Sequence, residues 1–229
     1  MKTIGMIGGM SWESSAQYYA IVNRAVRDRL GGVHSAKVLM YSVDFGEIEI
    51  LQRAGDWDAA TVAMIDAARR LERGGADFVM ICTNTMHLMA DEVAASIDVP
   101  LLHVVDPAAG AIVDAGLTRV GLLGTAFTME KAFYTDRLAA AGLEVMVPDD
   151  DDRGEVHRVI YEELVAGKIE PASRAAYRAI IARLVDRGAQ AIVLGCTEIM
   201  LLVDQSDSAV PLFDTTTLHA LAAVDLALA

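Results

Sequence analysis

The chain of 229 residues has two cysteines, and each opens a similar string. One lies in Cys82-Thr83-Asn84-Thr85-Met86-His87, the other in Gly195-Cys196-Thr197-Glu198-Ile199. A thiolate can remove a proton from carbon, and a thiol can return one. Two thiols on opposite sides of one carbon would do both, leaving the mirror image of the starting molecule with no change of oxidation state. The reverse reaction exchanges the two roles, so acid and base should be the same residue type. Matched Cys-Thr strings fit that requirement. The competing reading is two inert core thiols, because free Cys is commonly a small buried residue. A helix starting soon after each thiol is expected to favour the thiolate.

The elements that must hold these residues alternate between strand and helix. Apolar runs predict strands at Thr3–Ile7, Lys37–Val43, Asp77–Ile81, Val120–Leu123, Leu143–Val147 and Ala191–Leu194, with Pro100–Val105 extended. Helical periodicity falls on Ser11 to Arg29, Asp58–Arg73, Met86–Ser96, Met129–Ala141, Arg153–Ala166 and Pro171–Arg187. Ser11 and Asp214 are expected N-caps, the latter opening the last helix. Such alternation argues for an α/β fold with mostly parallel sheets.

A weak internal repeat divides the chain. Ile4-Gly5-Met6-Ile7-Gly8 matches Val120-Gly121-Leu122-Leu123-Gly124, and the segment from Gly75 to Thr83 resembles that from Gly188 to Thr197 with one residue inserted. The two strings recur in the same order at nearly the same separation. They predict two pseudo-symmetric lobes, 1–99 and 100–209, with 210–229 packing back on the first. Each lobe carries a Gly-rich first turn and a Cys-Thr at the carboxyl end of a later strand, where open α/β sheets bind ligands. The expected site is the cleft between the lobes.

Composition excludes several classes. Apolar residues make up 54% and charged residues 22%, so material for a core is ample. A net charge of −13 without a basic cluster argues against nucleic acid and anionic membrane surfaces. No apolar run is long enough to span a bilayer, and the N-terminus lacks the h-region of a signal peptide, so the cytoplasm is expected. Two distant cysteines cannot complete a zinc site, and the five histidines lack metal-binding spacing. Gly5-Met6-Ile7-Gly8-Gly9 is neither G-x-G-x-x-G nor a P-loop. Arg53, in a loop or short helix, and Lys168, between two helices, read as solvated charges, and Asp149–Asp152 as a solvated acidic turn. His87 lies near enough to Cys82 to touch a site but reads as packing. Glu198 reads equally well as a helix-start carboxylate or as a partner of the neighbouring thiol.

With these residues in view, the sequence resembles the cofactor-independent aspartate/glutamate racemase family, on its aspartate-racemase side. The resemblance spans essentially the whole chain. It rests on Gly8-Gly9-Met10-Ser11-Trp12-Glu13-Ser14, Val43-Asp44-Phe45, the two Cys-Thr strings and Phe213-Asp214-Thr215. Glutamate racemases carry His where Glu198 stands. The resemblance implies a racemase of aspartate, glutamate or a related polar amino acid, often homodimeric, with no pyridoxal phosphate and no metal. It implies Cys82 and Cys196 as the two-base pair. It places Met10, Thr83, Asn84, Thr85 and Thr197 at the substrate, and Gln52 and Lys168 at its distal group. Strict aspartate racemases have Arg where this chain has Gln52, so a broader amino-acid racemase is in view. The alternatives are an isomerase or decarboxylase of a small dicarboxylic acid, and a non-catalytic two-lobed binding module.

Overall fold

A computed structural model describes all 229 residues. In chain order the elements are β1 (Ile4–Gly8), α1 (Trp12–Leu30), β2 (Val38–Ser42), α2 (Phe45–Ala54), α3 (Trp57–Arg73), β3 (Phe78–Ile81), α4 (Ala90–Ala94), β4 (Leu101–Leu102), α5 (Val105–Asp114), β5 (Arg119–Gly124) and α6 (Ala126–Glu130). Then follow α7 (Ala132–Ala140), β6 (Glu144–Met146), α8 (Asp150–Glu162), α9 (Pro171–Asp186), β7 (Ala191–Gly195), α10 (Ile199–Leu202), β8 (Leu212–Asp214) and α11 (Thr215–Leu228). Two four-stranded sheets, ordered β2-β1-β3-β4 and β6-β5-β7-β8, are parallel throughout. This is the α/β architecture that the alternation predicts. The chain divides into two compact units, Met1–Val104 with His219–Ala229, and Val105–Leu218.

In the first unit, alternation along β1 and β3 feeds two apolar layers. Ile7, Val79 and Ile81 pack with Met64, Ala67, Ala68 and Leu71 of α3. On the other face Ile4, Met6, Phe78, Met80 and Cys82 pack with Tyr18, Val22 and Val26 of α1 and with Ala220, Ala223 and Val224 of α11. In the second unit β5 and β7 are buried as completely, covered by residues such as Val156 and Ile160 of α8 and Ile180, Ile181 and Leu184 of α9. Each large apolar side chain so buried contributes about 1.5–3 kcal/mol.

The repeat has a physical counterpart. Asp77 and Gln190 occupy equivalent positions before β3 and β7. The Asp77 carboxylate accepts from the Thr3 amide at 2.6 Å, and the Gln190 side-chain oxygen accepts from the Thr118 and Arg119 amides at 2.9 and 3.1 Å. Each thereby ties the start of one central strand to the start of the other. Gly9 follows β1 with φ +95°, and its amide donates to Ser15 Oγ at 2.8 Å. A Cβ there would run into the Val43 carbonyl oxygen.

Several boundaries depart from the sequence reading. Phe45–Ala54 is a full helix, opened by Asp44, whose side chain accepts from the Gly46 amide. Extended chain near Pro100 shrinks to the two residues of β4, and α5 begins at Val105, with Pro107 in its first turn where no amide is needed. The expected helix over Met86–Ser96 is a 3₁₀ turn, Thr85–Met89, followed by α4, because Met89 (φ −110°, ψ 24°) interrupts it. Lys131 is extended and splits Met129–Ala141 between α6 and α7. The acidic run is no solvated turn. Asp149 caps α8 by accepting from the Asp152 amide, and Asp150, Asp151 and Asp152 sit in its first turn, where the helix dipole favours anions.

Replacing Gly9 by Ala combines a left-handed backbone with a backbone clash and should cost about 3 kcal/mol or more in urea unfolding. Gly55, the left-handed cap of α2 at φ +69° and ψ 19° with open space where a side chain would stand, supplies the control. Gly55→Ala should cost about 1–2 kcal/mol.

Candidate active site

Because all strands of each sheet run one way, their carboxyl ends gather at one edge. In the first unit, four segments leave that edge: Gly9-Met10-Ser11 after β1, Val43-Asp44 into α2, Cys82-Thr83-Asn84 after β3 and His103-Val104 after β4. Ser11 caps α1, its hydroxyl accepting from the Ser14 amide at 3.3 Å. Met10 lies in the same apolar cluster as Ile48 and Met86. Gln52, on α2 and 4% exposed, directs its amide nitrogen to Met86 Sδ at 3.2 Å. The first unit therefore brings together Met10 and Gln52, around Met86, and carries Thr83, Asn84 and Thr85 as a buried polar turn directly after Cys82. Arg53, the neighbour of Gln52, is a surface charge paired with Glu49 at 2.6 Å.

His87 has a definite role. Its Nε2 accepts from the Val104 amide at 3.1 Å, which requires the proton on Nδ1, and Nδ1 donates to the Thr83 carbonyl at 2.8 Å. The ring is buried, neutral and fastened at both nitrogens, so it positions the turn that follows the thiol. His103 and His219 pack edge-to-face against it, with ring centroids 4.4 and 5.9 Å away. No group of three or more His, Cys, Asp or Glu is arranged to hold a metal ion.

In the second unit, Cys196, Thr197 and Glu198 follow β7 directly. Glu198 precedes α10 but makes no side-chain cap to it. Instead its Oε2 accepts from Cys196 Sγ at 3.0 Å and from Thr197 Oγ1 at 2.8 Å. The carboxylate is thus a partner of the thiol. Lys168 is exposed and follows the 3₁₀ turn Leu164–Ala166, which packs on α10. Two tyrosines absent from the sequence reading also feel Cys196: the buried Tyr134 of α7 and Tyr177 of α9, whose hydroxyls are pushed up first by burial and then by the proximity of that thiol. They stand far from Cys196 in sequence, and no local pattern announces them.

The expected depression of the thiol pKa values is not found. Cys82 is 0% exposed within an apolar layer, and burial holds its thiol well above the ordinary range. Cys196, 7% exposed, is raised by burial first and then by the Glu198 charge and hydrogen bond. A 3₁₀ turn after Cys82 and a one-turn helix after Cys196 are too short to offset desolvation.

The family model for Asp/Glu/hydantoin racemases matches residues 7–223. The chain is 28% identical over 177 residues to the broad specificity amino-acid racemase RacX of Bacillus subtilis, covering 76% of this chain and 75% of that protein. It superposes over the full length of both chains on a candidate Asp/Glu racemase from Yersinia pestis, at 52% identity and a TM-score of 0.93. The same holds for an aspartate racemase homologue from Pyrococcus horikoshii, at 34% identity and a TM-score of 0.86. The Picrophilus torridus aspartate racemase, at 20% identity and a TM-score of 0.79 over 99% of this chain and 94% of that one, shares the fold. With two like parallel sheets and a Cys-Thr turn after the buried third strand of each, the chain belongs to the Asp/Glu/hydantoin racemase family and is an amino-acid racemase.

Proposed function

We propose that the enzyme inverts aspartate, glutamate or a related polar amino acid at Cα without a cofactor, using Cys82 and Cys196 as two bases on one substrate. The observation that carries this reading is the duplication of one buried construction: a central strand pair ending in Cys-Thr, once in each unit. One sulfur, as thiolate, takes the Cα proton, and the electron pair left on carbon is delocalised into the α-carboxylate. The other sulfur, as thiol, gives its proton to the opposite side of Cα. The C–H bond broken and the C–H bond formed balance, and the two sulfurs finish with exchanged protonation.

Thr83, Asn84, Thr85, Thr197 and the Met10 turn hold the substrate's α-groups in this reading, while Gln52 and Lys168 face its distal group. Gln52 offers a neutral amide beside Met86, which suits a hydroxyl or amide as well as a carboxylate. That supports a wider substrate range than aspartate alone. Both thiols are held neutral in the free protein by burial, so a thiolate must arise on binding. A substrate ammonium close to a sulfur favours that ionisation. The reading also includes a homodimer in the cytoplasm. The exposed apolar side chains Trp12, Tyr19 and Met40, which line one surface pocket of the first unit, are suited to an interface between copies. No helix is long and apolar enough to cross a membrane.

Incubating single amino acids in D₂O and following α-deuterium by NMR tests the chemistry. Wild-type protein should exchange and racemise its substrate, and Cys82→Ser or Cys196→Ser should each lower racemisation at least about 100-fold. Exchange surviving in the double variant would refute thiol catalysis.

Burial of the thiols also sets a pH dependence of stability. Above about pH 8.5 the unfolded chain loses its thiol protons while the folded chain keeps them, so stability falls as pH rises. The loss should approach about 1.4 kcal/mol per pH unit for each thiol. Denaturant unfolding between about pH 8.5 and 10.5 should show a shallower decline in Cys82→Ser than in wild type.

A further inference from the structure

The two Cys-Thr turns are alike in sequence but differ at the third position. Asn84 follows Cys82-Thr83, whereas Glu198 follows Cys196-Thr197. Glu198 is 2% exposed, and its Oε2 lies 3.0 Å from Cys196 Sγ and 2.8 Å from Thr197 Oγ1. Cys82 sits instead among apolar side chains of β1, β3, α1 and α11. A carboxylate held this close to a thiol and screened from solvent is built to receive its proton.

We propose that Glu198 is a positioning residue that stores the Cys196 proton, so that Cys196 becomes the thiolate by a transfer inside the protein while Cys82 has no such internal acceptor. The inference rests on the two-thiol reading above and deepens it. The transfer breaks S–H on Cys196 and forms O–H on Glu198, with the single negative charge passing from oxygen to sulfur. The thiolate then takes the Cα proton, and Cys82 delivers its own to the other side. Afterwards the Cys196–Glu198 pair holds two protons and Cys82 none. Release of one proton from the carboxyl to water and uptake of one by Cys82 restore the starting state. The titratable groups of other elements that act on Cys196 are Tyr134 of α7 and Tyr177 of α9, both held protonated by burial, and the Tyr177 hydroxyl itself donates to the Val156 carbonyl at 3.0 Å.

The consequence is a characteristic pH profile. Transfer of a proton from the Cys196 sulfur to the Glu198 oxygen 3.0 Å away leaves the pair's total charge unchanged, so this step exchanges no proton with water. Wild-type kcat/KM should therefore be flat from about pH 6 to 8.5. In Glu198→Gln the thiol must lose its proton to water, so kcat/KM should rise about tenfold per pH unit and lie about 100-fold below wild type at pH 7. Glu198→Asp keeps an acceptor and should restore a plateau. A purely structural role would lower the rate without changing the slope.

The experiment measures α-deuterium exchange in D₂O across this range for wild type, Glu198→Gln and Glu198→Asp, with an equimolar mixture of L-amino acids as probe and thermal unfolding of each variant as a check of folding. A sloping Glu198→Gln profile beside a flat Glu198→Asp profile supports the inference. A flat Glu198→Gln profile, or two identical variant profiles, overturns it and leaves the racemase reading standing. Absence of exchange in wild type overturns both.

Discussion

Everything about these thiols follows from where they are attached. Each is the residue next after a strand that is buried on both faces by parallel neighbours and covering helices. Such a position is rigid and poor in water, and it suppresses ionisation of a lone thiol. Rigidity serves a reaction that depends on placing a sulfur within bonding reach of one carbon. On the two-thiol mechanism proposed above, suppressed ionisation works against it, because the reacting species there is the thiolate. The fold therefore supplies geometry readily, and the side chains around the sulfurs must supply the charge.

The two units answer that demand differently. Around Cys196 there is a buried carboxylate with two hydroxyls, Tyr134 and Tyr177, in its neighbourhood. Around Cys82 there is an apolar layer, with the polar groups confined to the turn that follows. A repeat in backbone thus carries an asymmetry in chemistry. The shared parts are those that build a sheet, including the side-chain oxygens of Asp77 and Gln190 that clasp the two central strands at their starts. The divergent parts lie past the strand ends.

Much of this was legible in the sequence. Buried parallel strands read as short continuous apolar runs, so β1, β3, β5 and β7 stood out, and the recurrence of their glycines exposed the repeat. The caps Ser11 and Asp214 were legible because Ser and Asp directly precede helical periodicity, and the Asp214 side chain does accept from the Thr216 and Thr217 amides. What misled was local. Gly46 in the first turn of α2 and Pro107 in the first turn of α5 look like breakers, yet first-turn positions tolerate both. The division between α6 and α7 at Lys131 has no Gly or Pro to mark it. At the site, the family strings named Cys196, Thr197 and Glu198, but the tyrosines beside them come from remote helices. The partnership between Glu198 and the thiol is a matter of one rotamer, which periodicity does not encode.

His87 carries one more implication. Its ring is braced between the carbonyl of Thr83, the residue after the first thiol, and the amide of Val104, the last residue before the chain leaves the first unit. A single imidazole thus acts as a strut between the thiol-bearing turn and the exit of the polypeptide. The backbone around Thr83 and that around Val104 are therefore held in one register, although 21 positions separate them in the chain.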